Sequence, residues 1–294
     1  MVRKIDQKII DLYDNFTHGG MNRRQFLDRL TEAAGSSAAA VALLPLLQNN
    51  YAQAAVIAPD DGRLVSERAS YESPKGKING YLVRPKARGK RPVVLVIHEN
   101  RGLNPHLEDV ARRFAAEGYL AYAVDLLSLV GGTPASEDAA RELHTRMNQD
   151  DAVAALVAGV SFLKKHPEST GKVGAVGFCF GGLMVNRLAA SSPELDAGVA
   201  FYGRQVPAAQ VPHIRAALLL NYAEMDDGVN AGIAAYEAAL KANNKKYSLH
   251  TYPGTQHAFF NDTGAARYNE AAAKLAWSRS LAFFKENLGA PPAG

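Results

Sequence analysis

From residue 78 onward, short apolar runs alternate with longer stretches of helical period. Gly80 to Arg84 predicts a strand. Pro92 to His98 is a near-continuous β-branched run, the signature of a strand buried on both faces. Asp109 to Glu117 places Val110, Phe114 and Ala115 on one helical face, and Gly118 ends that helix. The pattern then predicts a strand over Tyr119–Leu126 and one helix over Ser136–His166, with Gly159 as its weak point. A strand over Lys172–Phe178 and a helix over Gly181–Ala190 come next. Strands over Ala197–Tyr202 and Ala216–Tyr222, a helix over Asn230–Ala242 and a strand over Tyr247–Tyr252 follow. A helix from about Ala265 to Leu288 closes the chain. Such alternation predicts an α/β fold, a mostly parallel sheet covered by helices on both faces, in a single domain over residues 55–294. Ligands of such sheets bind beyond the carboxyl ends of the strands, so residues just after strands are the first candidates for chemistry.

Residues 1–54 read differently. A paired arginine stands in Asn22-Arg-Arg-Gln-Phe-Leu27, fifteen small and apolar residues without charge run from Ala33 to Leu47, and Ala52-Gln53-Ala54 forms a small-x-small site. Basic region, apolar region and small-residue site are the parts of a secretory signal, and the arginine pair points to the twin-arginine route, hence to a periplasmic or secreted product. The apolar part is too short for a stable membrane span. The alternative is an uncleaved N-terminal helix packed on the domain of a cytoplasmic protein, because Ile9, Ile10, Leu12, Tyr13 and Phe16 also fit an amphipathic helix.

Composition narrows the choice of function. With 47% hydrophobic and 21% charged residues among 294, the chain sits near the globular average, which excludes disordered and collagen-like classes. Thirty-three basic against 29 acidic residues give +4 without a dense basic stripe, so no nucleic-acid partner is expected. One cysteine, Cys179, excludes an intramolecular disulfide and a cysteine-based zinc site. A lone thiol of this kind is either core filler or a nucleophile.

Its surroundings favour the nucleophile. The strand ending at residue 178 runs into Gly177-Phe-Cys-Phe-Gly-Gly182, a Gly-x-nucleophile-x-Gly pattern between a buried strand and a helix. Residues without side chains let the backbone pass closely on a strained turn, and the helix N-terminus favours a thiolate. Chain order then calls for an acid and a histidine downstream. The strand ending near residue 222 leads to Glu224, Asp226 and Asp227, and the last strand leads to His257. Asp226 is the candidate acid, with Asp227 and Glu224 as alternatives. In this arrangement His257 takes the thiol proton and Asp226 fixes the imidazole tautomer.

At these motifs the sequence resembles the dienelactone hydrolases, α/β-hydrolases with a Cys-His-Asp triad. The likeness runs over residues 63–288 and is carried by Val93-Val-Leu-Val-Ile-His-Glu-Asn-Arg-Gly-Leu103, Ala116-Glu-Gly-Tyr-Leu-Ala-Tyr-Ala-Val-Asp-Leu126, Gly177-Phe-Cys-Phe-Gly-Gly182 and His257-Ala-Phe-Phe260. The resemblance implies the α/β-hydrolase fold, a small-molecule ester or lactone substrate, a thioester intermediate, and no metal or organic cofactor. It assigns the triad to Cys179, Asp226 and His257, a resting contact with the thiol to Glu99, and the oxyanion hole to the backbone N–H groups of Asn100 and Phe180. Two arginines that hold a substrate carboxylate in such hydrolases are replaced here by Leu129 and Asn261, with Arg101 or Arg204 as candidate substitutes. The N-terminal extension resembles one found in a subgroup of the family. Acyl transfer to an acceptor other than water, and ligand binding by a silent scaffold, are alternatives that use the same residues.

Overall fold

The computed structural model of the chain describes residues 5–17, 19–51 and 55–292. Ala52-Gln53-Ala54, the small-x-small site of the expected secretory signal, lies outside the described residues. The helices are α1 (Gln7–Thr17), α2 (Arg23–Ala34), α3 (Ser37–Leu47), α4 (Pro105–Ala116), α5 (Glu137–Arg146), α6 (Gln149–Lys164), α7 (Phe180–Ser191), α8 (Asp227–Asn230), α9 (Ile233–Ala242) and α10 (Glu270–Leu288). The strands are β1 (Leu64–Ser73), β2 (Gly76–Pro85), β3 (Arg91–Ile97), β4 (Leu120–Asp125), β5 (Ser169–Phe178), β6 (Ala197–Phe201), β7 (Ala217–Met225) and β8 (Tyr247–Gln256).

The eight strands form one sheet in the order β1-β2-β4-β3-β5-β6-β7-β8. β1 and β2 form an antiparallel hairpin on β4, and the remaining neighbours pair in parallel. The period-2 logic of a doubly covered sheet is visible in β3. Val93, Leu95 and Ile97 enter one core with α6 and α7, whereas Val94 and Val96 enter the other with α4 and α10. Every residue of β3 is buried, as its β-branched run predicts.

Three expectations need correction. The stretch 136–166 is two helices, broken at Met147-Asn148, where the Asn148 side chain accepts the backbone N–H groups of Asp150 and Asp151 and so starts α6. Gly159 is no weak point. A Cβ there would lie 2.7 Å from Tyr71 Oη, so the glycine lets β1 pack against α6. The last helix begins at Glu270 rather than Ala265, because Asn269 caps it through the Ala272 N–H, leaving 257–269 as turns. β1 itself was not anticipated.

The extension folds as α1–α3 around its own apolar cluster, in which Phe16 and Phe26 stack at 4.4 Å and Leu30 is fully buried. Asn22 caps α2 in a reciprocal capping box with Gln25, so Arg23 and Arg24 are the first residues of a helix. Among the described residues no single helix is long and apolar enough to cross a membrane. Together α2 and α3 would be, but they are bent by 112°.

Candidate active site

Cys179 stands on the turn between β5 and α7. Its φ of 55° and ψ of −114° lie in a region costly for a residue with a side chain. The turn is held by backbone contacts that only glycines permit. A Cβ on Gly177 would lie 2.1 Å from Gly181 O, and one on Gly181 would lie 2.3 Å from Ile97 O. The Cys179 N–H donates to Phe201 O over 3.0 Å, which ties the turn to β6. The thiol is thereby set at the positive end of α7, where the first N–H groups have no partner within the helix.

His257 follows β8, and its Nδ1 lies 2.6 Å from Asp226 Oδ2, beyond the end of β7. The other two acids are elsewhere. Glu224 accepts the Gly254 N–H over 2.8 Å, and Asp227 is exposed at the start of α8. Of the three, the structure therefore sets Asp226 on the imidazole. Burial is the largest single influence on the His257 pKa and pushes it down. The charge of Cys179 and the hydrogen bond to Asp226 lead the opposing influences, which together hold the ring well above the ordinary imidazole range.

Glu99 and Asn100, in the loop after β3, are buried. Glu99 Oε2 accepts the Asn261 amide over 3.1 Å, while Arg101 pairs with Glu137 at 3.2 Å. His98 supports this loop. Its Nε2 accepts the Leu126 N–H at 3.0 Å, so its Nδ1 carries the proton and donates to Glu99 O at 2.5 Å. Burial lowers its pKa and keeps it neutral. Phe180 opens α7, and its ring packs edge-on against His144 at 4.4 Å.

Cys179, His257, Ala258, Glu99, Asn100, Arg101, Arg267 and Thr17 line one cavity of about 10 Å³, room for about one water. Leu129 lies on the 3₁₀ turn 126–130, packed against the core, and Arg204 is exposed; neither lines it. Arg267, which lines the cavity, and Tyr202, which packs on His257, were missed in the sequence. Arg267 lies in the turns read as helix, and its nearest carboxylate is Asp14 of α1, at 2.8 Å. Tyr202 has a φ of 37° and lies with its ring 5.0 Å from that of His257. The one advance sign of Tyr202 was its place directly after β6. Among the described residues no group of three or more His, Cys, Asp or Glu is placed to hold a metal ion.

Comparison with known proteins agrees with this fold. Residues 1–35 match the family described as YqhI-like. A putative hydrolase fragment, YghX, of Escherichia coli is 51% identical over 112 residues, covering 37% of this chain and 96% of the relative. A putative carboxymethylenebutenolidase of Synechocystis is 34% identical over 230 residues, 72% of this chain and 93% of the relative. The crystal structure of a putative dienelactone hydrolase from Klebsiella pneumoniae superposes with a TM-score of 0.69 at 30% identity, covering 76% of this chain and 99% of that one. Residues 78–288 match the dienelactone hydrolase family itself, and with the sheet order and the strand-to-helix turn at Cys179 this makes the chain a member of the dienelactone hydrolase family.

Proposed function

We propose that the chain hydrolyses a carboxylic ester or lactone through a thioester on Cys179, with His257 and Asp226 completing a catalytic triad. The observation that carries this reading is the His257–Asp226 contact of 2.6 Å beside a strained cysteine at a helix N-terminus. The Cys179 sulfur attacks the carbonyl carbon, and the oxyanion that forms is received by the N–H groups of Asn100 and Phe180. Collapse breaks the C–O bond, and the departing alkoxide takes the proton held by His257. His257, now neutral, accepts a proton from water, whose oxygen attacks the thioester and releases the acid and the thiolate. Asp226 holds the ring in the tautomer that both steps need and stabilises its charge. The test is hydrolysis of a p-nitrophenyl ester, a neutral lactone and dienelactone by wild type and Cys179→Ala. Turnover lost in the alanine variant is the expected result; equal rates in both would reject the cysteine mechanism.

We also propose that the extension directs export by the twin-arginine route. What supports this is the exposed Arg23-Arg24 pair at the start of α2, followed by the apolar α3. Fractionation of cells making the wild type and an Arg23→Lys, Arg24→Lys variant tests it. Retention of the variant alone in the cytoplasm is expected, and identical distribution of the two contradicts it.

A further inference from the structure

α1 ends over the nucleophile. The Thr17 carbonyl accepts the Asn100 side-chain amide at 2.6 Å, the Asp14 carboxylate pairs with Arg267 at 2.8 Å, and the Arg101 guanidinium donates to the Tyr13 hydroxyl at 3.2 Å. All three partners border the cavity of Cys179. With Thr17 seated, that cavity holds about 10 Å³, whereas small-molecule sites measure roughly 300–1,000 Å³. The pocket beside the thiol is too small to seat an ester in this arrangement, although Cys179 itself stays partly exposed. The groups that close the site are also of the kind an acyl substrate presents, a carbonyl on an amide N–H and an anion on a guanidinium.

The closure is built to be separable. The apolar cluster of α1–α3 is self-contained, with Ala266 as the one residue of the main domain packed on it among the described residues. The other contacts to the main domain are hydrogen bonds, ion pairs and cation–π contacts, among them Arg141 to the Phe16 carbonyl at 2.9 Å and over the Phe16 ring at 3.8 Å, Asn49 to Glu137 at 3.0 Å, the Asn50 N–H to Thr263 O at 2.8 Å, and Arg23 to Asp138. Displacing the extension therefore exchanges polar and cation–π contacts for water and leaves both cores of the sheet closed.

We propose that α1–α3 form an autoinhibitory cap, in which the last turns of α1 act as a tethered competitor that must be displaced or removed before substrate reaches Cys179. This rests on the reading of Cys179 as the reactive group. Because Cys179 is the single cysteine of the chain, alkylation by iodoacetamide, followed by mass spectrometry of the full-length protein, reads its accessibility directly. Phe26→Ala loosens the cap from inside its own cluster, and Asp14→Arg sets like charges against Arg267. The alkylation rate follows the fraction of open molecules, so each variant is expected to raise it by about tenfold or more. A rise of less than about threefold in both variants overturns the proposal, since a thiol already open gains little from a loosened cap. The readout is independent of turnover. Faster alkylation without hydrolysis of any ester would leave the cap standing and remove the hydrolase reading instead.

Discussion

Asn261 holds Glu99 in the site: its side-chain amide donates to Glu99 Oε2 over 3.1 Å, and its carbonyl oxygen accepts the N–H and hydroxyl of Thr263 at 3.1 and 2.6 Å. The position that carries a substrate-binding arginine in the hydrolases this sequence resembles is thus committed to orienting a carboxylate beside the thiol. Asn261→Ala leaves these buried groups unmatched. A loss of about 1–3 kcal/mol is expected, seen as a fall in Tm of roughly 3–8 °C by calorimetry. An unchanged Tm would mean that Glu99 needs no support from Asn261.

The Asp226 carboxylate accepts from His257 Nδ1, so replacing it by an amide inverts the tautomer without moving atoms. Asp226→Asn is expected to lower kcat on a p-nitrophenyl ester by about a thousandfold or more. Asp227→Asn and Glu224→Gln, at acids that do not touch the ring, are expected to leave kcat nearly unchanged. Equal losses in all three would remove the distinction.

Tyr202 brings a hydroxyl that finds no hydrogen-bond partner among the described residues, and burial raises its pKa well above the ordinary range. Tyr202→Phe deletes that group while keeping the ring against His257. Stability is expected to stay level or rise by about 1 kcal/mol, measured by urea denaturation. A clear loss would mean that the hydroxyl is bonded in solution.

The raised pKa of His257 couples folding to pH. The proton is held more tightly in the folded chain than in the unfolded one, where imidazole titrates near pH 6.5. The contribution is therefore present in full below about pH 6.5 and is lost as pH rises through the folded value, which lies well above it. The Tm advantage of wild type over His257→Gln should narrow as pH rises above neutrality. A gap constant across that range would contradict the raised value.

Much of the site was legible because its parts follow strands. Cys179, Asp226, His257 and Glu99 each stand within a few residues of a strand end, where a parallel sheet collects its chemistry. Arg267 was hidden because the turns around it carry helix-forming residues, and the Asn269 cap that delays α10 is a local hydrogen bond the apolar pattern does not record. β1 was hidden for a different reason: as an edge strand it is largely exposed, and its one buried residue, Tyr71, gives no period. The closure of the site by Asp14 and Thr17 joins residues more than eighty positions apart, and no spacing along the chain encodes it.

The thioester on Cys179 is the centre of the account, and it is tested most directly by rapid mixing with p-nitrophenyl acetate, acid quench and mass spectrometry of the intact chain. Wild type should carry one added acetyl group, mapped to Cys179 and formed in step with a burst of p-nitrophenol, and Cys179→Ala should show neither. Release of p-nitrophenol by both proteins with no acetylated chain would contradict it.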